Sequence, residues 1–162
     1  MSQMPIANVL YNVQTVSGSS NRQLLSCTSD GSKVDLWHDD DHAGRQRWRF
    51  IEVSRGLYTI EVFAGVTNKR KYLSCTSGGK VDLYHEVDSS GRQLWKLNPL
   101  PDGSFNIEIS GGTHQGEKYL SCTGDGRIVD LYHHDNGSGC QQWQLSVILL
   151  FSLKEVRIRA SS

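Results

Sequence analysis

The feature that most constrains this chain is an internal repeat. The phrase Leu-Ser-Cys-Thr occurs three times, with its cysteines at Cys27, Cys75 and Cys122. Each copy is followed by Val-Asp-Leu and an aromatic residue, and then by Gln-x-Trp. Self-similarity at a period of about 20–50 residues predicts a fold made of copies of one unit. We predict a single domain, 1–162, with units at approximately 8–54, 55–101 and 102–149 and an extra segment at 150–162.

The repeated unit has the hydrophobic period of β-strands. Val34 and Leu36 alternate with Asp35 and Trp37, and residues 80–84 and 128–132 alternate in the same way. A period of two is typical of a strand with one buried face. Clusters of Gly, Ser, Asn and Asp separate such runs, as expected between strands. Because no stretch shows a convincing helical period, we predict an all-β fold.

An acidic and an aromatic side chain share the outer face of each of these strands. Since Val34 and Leu36 face the core, Asp35 and Trp37 point outward together. The equivalent pairs are Asp82 with Tyr84 and Asp130 with Tyr132. An aromatic ring packs on the C–H face of a sugar ring, and a carboxylate accepts hydrogen bonds from sugar hydroxyls. Three such pairs favour repeated sugar binding; the alternative is that each Asp braces a turn through backbone N–H groups.

A polar loop follows each pair, at residues 38–44, 85–91 and 133–139. Its candidate hydrogen-bonding residues, counted back from the next Trp, are His38, His85 and His133, then Asp40 and Asp135, then Asp41, Asp88 and Asn136, with His42 in the first unit alone. The first loop, His-Asp-Asp-Asp-His, also has the composition of a metal site. Ligands must converge in a fixed geometry, however, and the second unit has Val87 in place of Asp40. We therefore favour a glycan site over a solvated turn, and we predict no metal.

The end of each unit carries a more specific motif. Gln46-Arg47-Trp48, Gln93-Leu94-Trp95 and Gln141-Gln142-Trp143 lie in phase with the repeat. Three in-phase Gln-x-Trp motifs resemble those of the ricin-B-type (R-type) lectins. That resemblance implies a β-trefoil, a six-stranded barrel capped by three hairpins with the Trp residues in the core. It also implies sites for galactose-type sugars, formed by the aromatic residue and the loop that contains Gln46, Gln93 or Gln141.

The resemblance is incomplete at two positions of each site. The family usually has Asp early in the unit, where this chain has Cys27, Cys75 or Cys122, or the Thr that follows. It often has Asn before the Gln, where this chain has Arg45, Arg92 and Cys140. A second resemblance is confined to His38, Asp40 and His42, which match the H-x-D-x-H of small mussel β-trefoil lectins that bind galactose and N-acetylgalactosamine.

These patterns predict a non-enzymatic, multivalent lectin for galactose- or N-acetylgalactosamine-type glycans, which acts as an agglutinin and needs no cofactor. The predicted carbohydrate-binding residues are Asp35, Trp37, His38, Asp40, Asp41, His42 and Gln46 in the first unit, Asp82, Tyr84, His85, Asp88 and Gln93 in the second, and Asp130, Tyr132, His133, Asp135, Asn136 and Gln141 in the third. Three near-copies of one site do not suit a single catalytic centre. The alternative is a β-trefoil interaction protein, such as a protease inhibitor or a cytoskeletal module.

Composition limits the other partners. The formal net charge is zero, which does not favour binding to nucleic acid. No apolar run approaches the roughly 20 residues that span a bilayer, so we expect no membrane insertion. No signal peptide is recognisable, and the repeat holds equivalent cysteines apart, so we expect free thiols and a cytoplasmic or non-classically secreted protein. The surplus apolar residues 148–158 are predicted to pack along the domain or to support a homodimer.

Overall fold

The computed structural model describes residues 3–16, 21–113 and 116–149. These ranges contain twelve β-strands and no helix. The strands are β1 (Leu10–Thr15), β2 (Leu24–Cys27), β3 (Val34–Trp37), β4 (Trp48–Ser54), β5 (Leu57–Val62), β6 (Tyr72–Cys75), β7 (Val81–Tyr84), β8 (Trp95–Pro99), β9 (Phe105–Ile109), β10 (Tyr119–Cys122), β11 (Val129–Tyr132) and β12 (Trp143–Val147). Each sequence unit therefore supplies four strands, and the predicted all-β class is confirmed.

Six of the strands close into a barrel. β1 pairs with β4 and β12, β5 pairs with β4 and β8, and β9 pairs with β8 and β12, all antiparallel. The other six form three hairpins, β2–β3, β6–β7 and β10–β11, and each is attached to the barrel through its first strand. A closed barrel with three equivalent hairpins is the predicted β-trefoil.

The three hairpins meet one another around the threefold axis. The backbone N–H of Leu36 donates to the carbonyl of Gly126 at 3.2 Å, and that of Leu83 donates to Gly31 at 3.2 Å. Lys80 and Asp130 form a further bridge between hairpins. Through these contacts each hairpin is held by a neighbour as well as by its own unit.

The Gln-x-Trp motifs place an indole from each unit in the core. Trp48, Trp95 and Trp143 are fully buried, at 0% exposure. Their Nε1 atoms donate to the carbonyls of Leu25, Leu73 and Leu120, each at 2.9 Å. Since each of these leucines lies in a hairpin strand, the indole joins the barrel strand that follows the loop to the hairpin that precedes it. Burial of a large ring with its one donor satisfied is strongly stabilising.

The expectations about membrane insertion and about the C-terminal segment can be compared only with the described residues. None of the described residues forms a helix long and apolar enough to cross a membrane. Of the segment 148–158, the described ranges include 148 and 149; its predicted packing or dimer contact otherwise lies outside the described residues.

Replacing Trp95 with Phe should lower the free energy of unfolding by about 2 kcal/mol, because the Leu73 carbonyl loses its indole donor and the smaller ring leaves space. Chemical denaturation measures the loss. Lys96→Ala, at the next, exposed position of β8, is the control and should change stability by less than about 0.5 kcal/mol. Equal losses in the two variants would contradict this role of the indole.

Candidate functional site

Each unit forms a surface pocket between its hairpin and the loop before its buried Trp. The cavities measure about 240, 250 and 330 Å³ in the first, second and third units. Equivalent residues line them: Ser26, Cys27, Thr28, Asp35, Trp37, Arg45 and Gln46; Ser74, Cys75, Thr76, Asp82, Tyr84, Arg92 and Gln93; and Ser121, Cys122, Thr123, Asp130, Tyr132, Cys140 and Gln141. The structure thus brings together the predicted carboxylate, aromatic residue and glutamine of every unit.

The carboxylates occupy the outer face of β3, β7 and β11, between two buried apolar residues. Asp35, Asp82 and Asp130 are half-buried, and burial raises the pKa of each. The Oδ1 atom of Asp35 is buried and makes no hydrogen bond within the described chain. A buried acceptor without a donor is unfavourable, so Asp35 is suited to accept a hydrogen bond from a ligand.

The aromatic residue of each pocket has a histidine packed beside it. The ring centroids of Trp37 and His38 are 5.0 Å apart, and the Tyr84–His85 pair is separated by 4.4 Å, as is the Tyr132–His133 pair. None of the three histidines is among the residues that line the pockets. In this arrangement His38, His85 and His133 support the aromatic ring from outside the cavity.

The glutamines fasten the loop to the hairpin. Gln46 is buried, its Nε2 donates to Ser26 Oγ at 2.9 Å, and its Oε1 accepts from the backbone N–H of Asp41 at 3.1 Å. The same two bonds join Gln93 to Ser74 and Asp88, and Gln141 to Ser121 and Asn136. The glutamine therefore determines where the loop lies, and its pocket-facing atoms are already engaged.

The loop residue whose backbone N–H bonds the glutamine also closes a local turn with its side chain. The Oδ1 atoms of Asp41, Asp88 and Asn136 each accept at 2.9 Å from the backbone N–H two residues later. Asn136 also lines the third pocket, whereas Asp41 and Asp88 are not among the lining residues of theirs.

Asp40 points away from its pocket and ties the loop to β1. Its Oδ2 accepts from Asn12 Nδ2 at 3.1 Å and from Arg47 Nε at 2.9 Å, and its Oδ1 accepts from the His42 backbone. Burial opposes ionisation of Asp40, but these donors outweigh it and lower the pKa of the carboxyl. His42 adopts a positive φ of 67° and its Nδ1 lies 2.7 Å from Arg47 Nη2.

The third unit repeats this tie, and the second unit lacks the residues that form it. Asp135 accepts from Asn106 Nδ2 at 3.0 Å and from Gln142 Nε2 at 3.1 Å. The second unit has Thr59 and Val87 at the corresponding positions. Sequence reasoning missed Asn12 and Asn106. A signal was present, because the second unit differs from the other two at both positions of the pair, with Thr in place of the Asn and Val in place of Asp40 or Asp135.

The apparent metal cluster is divided among these separate contacts. His38 packs on Trp37, Asp40 bonds Asn12 and Arg47, and His42 lies against Arg47. Among the described residues, no three His, Cys, Asp or Glu side chains come together in a way that could hold a metal ion.

The cysteines of the repeat line the pockets as buried thiols. Burial raises the pKa of Cys27 and Cys75 to about 12, against the opposing charges of Arg45 and Arg92. Burial also raises the pKa of Cys122, and contact with the Cys140 thiol raises it further. All four cysteines are free, and Cys140 is the most accessible.

Solved structures with the same fold include glycan-bound proteins. SeviL bound to an asialo-GM1 saccharide matches with a TM-score of 0.61 and 16% identity, over 85% of this chain and 96% of its own. A Polyporus squamosus lectin bound to Neu5Aca2-6Galb1-4GlcNAc matches at 0.68 and 16%, over 90% of this chain and 50% of its own. The designed threefold-symmetric protein ThreeFoil matches at 0.63 and 25%, over 86% and 99%. No protein-family model and no curated protein matches the sequence.

Replacing Asp130 with Asn should raise the free energy of unfolding at pH 7 by up to about 1 kcal/mol. Burial and then Glu117 raise the pKa of Asp130, so the folded state binds this proton more tightly than the unfolded chain. The protonated group's stabilisation is complete below the unfolded pKa of about 3.9 and is lost as pH rises through the folded value. The variant's advantage, measured by denaturation at several pH values, should therefore disappear below about pH 4.

Asp125→Asn is the matched control. The Thr123 hydroxyl and the Arg127 backbone N–H lower the pKa of Asp125, so its ionised form favours folding and the variant should gain no stability at pH 7. A gain in both variants, or one for Asp130→Asn that persists at pH 3, would contradict the assignment.

Alkylation should distinguish Cys140 from Cys27 and Cys75. At about pH 7.5, iodoacetamide should modify Cys140 first because it is the most accessible thiol. Cys27 and Cys75 should stay largely intact until the protein unfolds, because burial raises the pKa of each and the thiolate is the reactive form. Peptide mass spectrometry follows each site, with Cys140→Ser as the control that should remove the early reaction. Labelling of Cys27 as fast as Cys140 would overturn this order.

Proposed function

We propose that this protein is a multivalent carbohydrate-binding lectin, with one site in each of the three pockets. The observation that carries this proposal is the threefold recurrence of an aromatic ring beside a half-buried carboxylate in an open cavity. A folded domain gains no stability from a buried acceptor without a donor, such as Asp35 Oδ1. Repetition of the arrangement favours binding rather than one constructed catalytic centre, so we propose no enzymatic activity.

The chemistry of each pocket suits a sugar. Trp37, Tyr84 or Tyr132 offers a ring for the apolar C–H face of a pyranose, and the neighbouring Asp accepts from its hydroxyls. Ser and Thr hydroxyls from the hairpin add donors and acceptors on the same wall. Of the predicted site residues, we assign direct contact to the aromatic residues, the three strand aspartates and Asn136; the others hold the ring or the loop.

We propose galactose- or N-acetylgalactosamine-type glycans as the ligands. The three Gln-x-Trp motifs resemble those of R-type lectins, and two proteins with this fold were solved with saccharides bound. The free cysteines support the expectation of a reducing compartment, so we retain a cytoplasmic or non-classically secreted location.

Three sites on one domain give multivalency. The pockets are related by the threefold axis of the barrel, so they open in different directions and can engage glycans on separate surfaces. Individually weak sites gain avidity when several bind at once, without any new contact. This supports a role as an agglutinin.

Removing the ring from one pocket should weaken that site about three- to tenfold, the value of one aromatic contact. Trp37→Ala, Tyr84→Ala and Tyr132→Ala should each affect one site in calorimetric titrations with galactose and N-acetylgalactosamine. The triple variant should bind at all three sites with that weaker affinity, and it should agglutinate cells much less because the avidity of several sites is reduced together. A glycan array identifies the preferred sugar.

Phe63→Ala is the matched control, because Phe63 is an exposed aromatic residue outside the pockets. It should bind and agglutinate as the unmodified protein does. No binding to any glycan on the array, or full binding by the triple variant, would refute the proposed function.

A further inference from the structure

The three pockets differ in the charges that surround the same carboxylate. Three cations act on the carboxylate of each of the first two pockets: Arg22, Lys33 and Arg45 on Asp35, and Arg70, Lys80 and Arg92 on Asp82. The charged group that acts on Asp130 is instead Glu117. The electrostatic surroundings of the third carboxylate are therefore of opposite sign.

This difference arises from three replacements at matching positions of the repeat. Glu117 occupies the position of Arg22 and Arg70, Ile128 that of Lys33 and Lys80, and Cys140 that of Arg45 and Arg92. Each replacement removes or reverses a positive charge. The nearby Arg127 pairs with Asp125, its Nε lying 3.9 Å from Oδ2.

Carboxylates of the adjoining loops do not cancel the difference. Asp41 Oδ2 lies 3.7 Å from Arg45 Nη2. Hydrogen bonds from Ser90 are the main cause of the lowered pKa of Asp88, and the charge of Arg92 lowers that pKa further. The third loop has the neutral Asn136 at this position. Three cations therefore act on the strand aspartate of each of the first two pockets, whereas the charge that acts on Asp130 in the third is negative. Asp30 and Asp125, at matching positions of the first and third hairpins, are common to those two units and do not produce the difference.

The arginines of the first two pockets are held in place beside the aromatic ring. Arg45 and Arg92 line the cavities, and their stems pass over Gly65 and Gly112. Both glycines have positive φ, +87° and +86°, and a Cβ on Gly65 would lie 2.8 Å from Arg45 Cγ. The guanidinium of Arg22 lies 5.2 Å from the Trp37 ring centroid. The positive charges of Arg45 and Arg92 are therefore part of the pocket wall.

We propose that the first two pockets select acidic saccharides, which carry a carboxylate or a sulfate group, and that the third pocket takes neutral ones. This inference rests on the proposed sugar-binding function. The strand aspartate accepts from the ligand's hydroxyls, while the planar guanidinium donates to its acidic group. In the third pocket the same acidic group would face Asp130 and Glu117, and like charges suppress binding.

The test compares lactose with sialyllactose and with sulfated lactose by calorimetry at low and high salt. Each acidic sugar should occupy two sites per chain about tenfold more tightly than lactose does at about 20 mM salt. The preference should shrink at about 0.5 M salt, where exposed charges are screened. The two acidic sugars separate a carboxylate preference from a sulfate preference.

Residue exchange between units identifies the pockets responsible. Arg22→Glu with Arg45→Cys gives the first unit the third unit's residues at two of the three positions that differ in charge, and should remove one tight site. Glu117→Arg with Cys140→Arg makes the reverse exchange at the same two positions of the third unit, and should add one. Arg55 lies in the exposed turn between β4 and β5, away from the pockets. Arg55→Glu changes the net charge there and should leave the number of tight sites unchanged.

Each result bears on a different claim. Binding of lactose and acidic lactoses with equal affinity and stoichiometry, or exchange variants that behave like Arg55→Glu, would overturn this inference while leaving the lectin function intact. Failure to bind any saccharide would overturn the lectin function and this inference together.

Discussion

The structure depends on a buried connection that each unit makes between its hairpin and its loop. The indole of Trp48 donates to the Leu25 carbonyl, and two residues earlier Gln46 spans from the Ser26 hydroxyl to the Asp41 backbone. The two bonds to the hairpin join residues 20 and 23 positions apart in the chain, so little local preference brings them together. Because the bonds are buried, breaking one leaves a polar group without water or partner. The pocket exists because this connection holds β3 opposite the loop.

The same connection explains why the fold tolerates a half-buried carboxylate in each pocket. Asp35, Asp82 and Asp130 are half-buried with raised pKa values, so each ionised group destabilises the fold at neutral pH. They lie on strands whose other face contributes fully buried Val and Leu residues to the core. The barrel, with three buried indoles and its closed hydrogen-bonded ring, provides stability that does not depend on the pocket face. The fold can therefore tolerate a buried carboxylate oxygen without a hydrogen-bond partner, such as Asp35 Oδ1.

Sequence reasoning succeeded where side-chain direction follows from strand geometry. The alternation in Val34-Asp35-Leu36-Trp37 was sufficient to place Asp35 and Trp37 on one face, and three in-phase Gln-x-Trp motifs were sufficient to predict the β-trefoil. Sequence reasoning could not predict the direction of the loop side chains, because that direction depends on partners elsewhere in the fold. Asp40 and Asp41 are adjacent, yet one bonds Asn12 on the neighbouring strand β1 and the other closes its own turn. No periodicity distinguishes them, and the packing of His38 onto Trp37 is equally a result of tertiary contact.

The pattern of what varies among the units separates folding from recognition. The Ser, Gln and Trp that join hairpin to loop are identical in all three, because each buried bond tolerates few substitutes. The positions that differ in charge, such as Arg45 and Cys140, lie at the cavity wall, where solvent reduces the cost of change. The bond between Asn12 and Asp40 also varies among the units, and both partners change together: the second unit has Thr59 and Val87 at these positions. A threefold fold can thus keep one architecture while its three pockets acquire different electrostatic character.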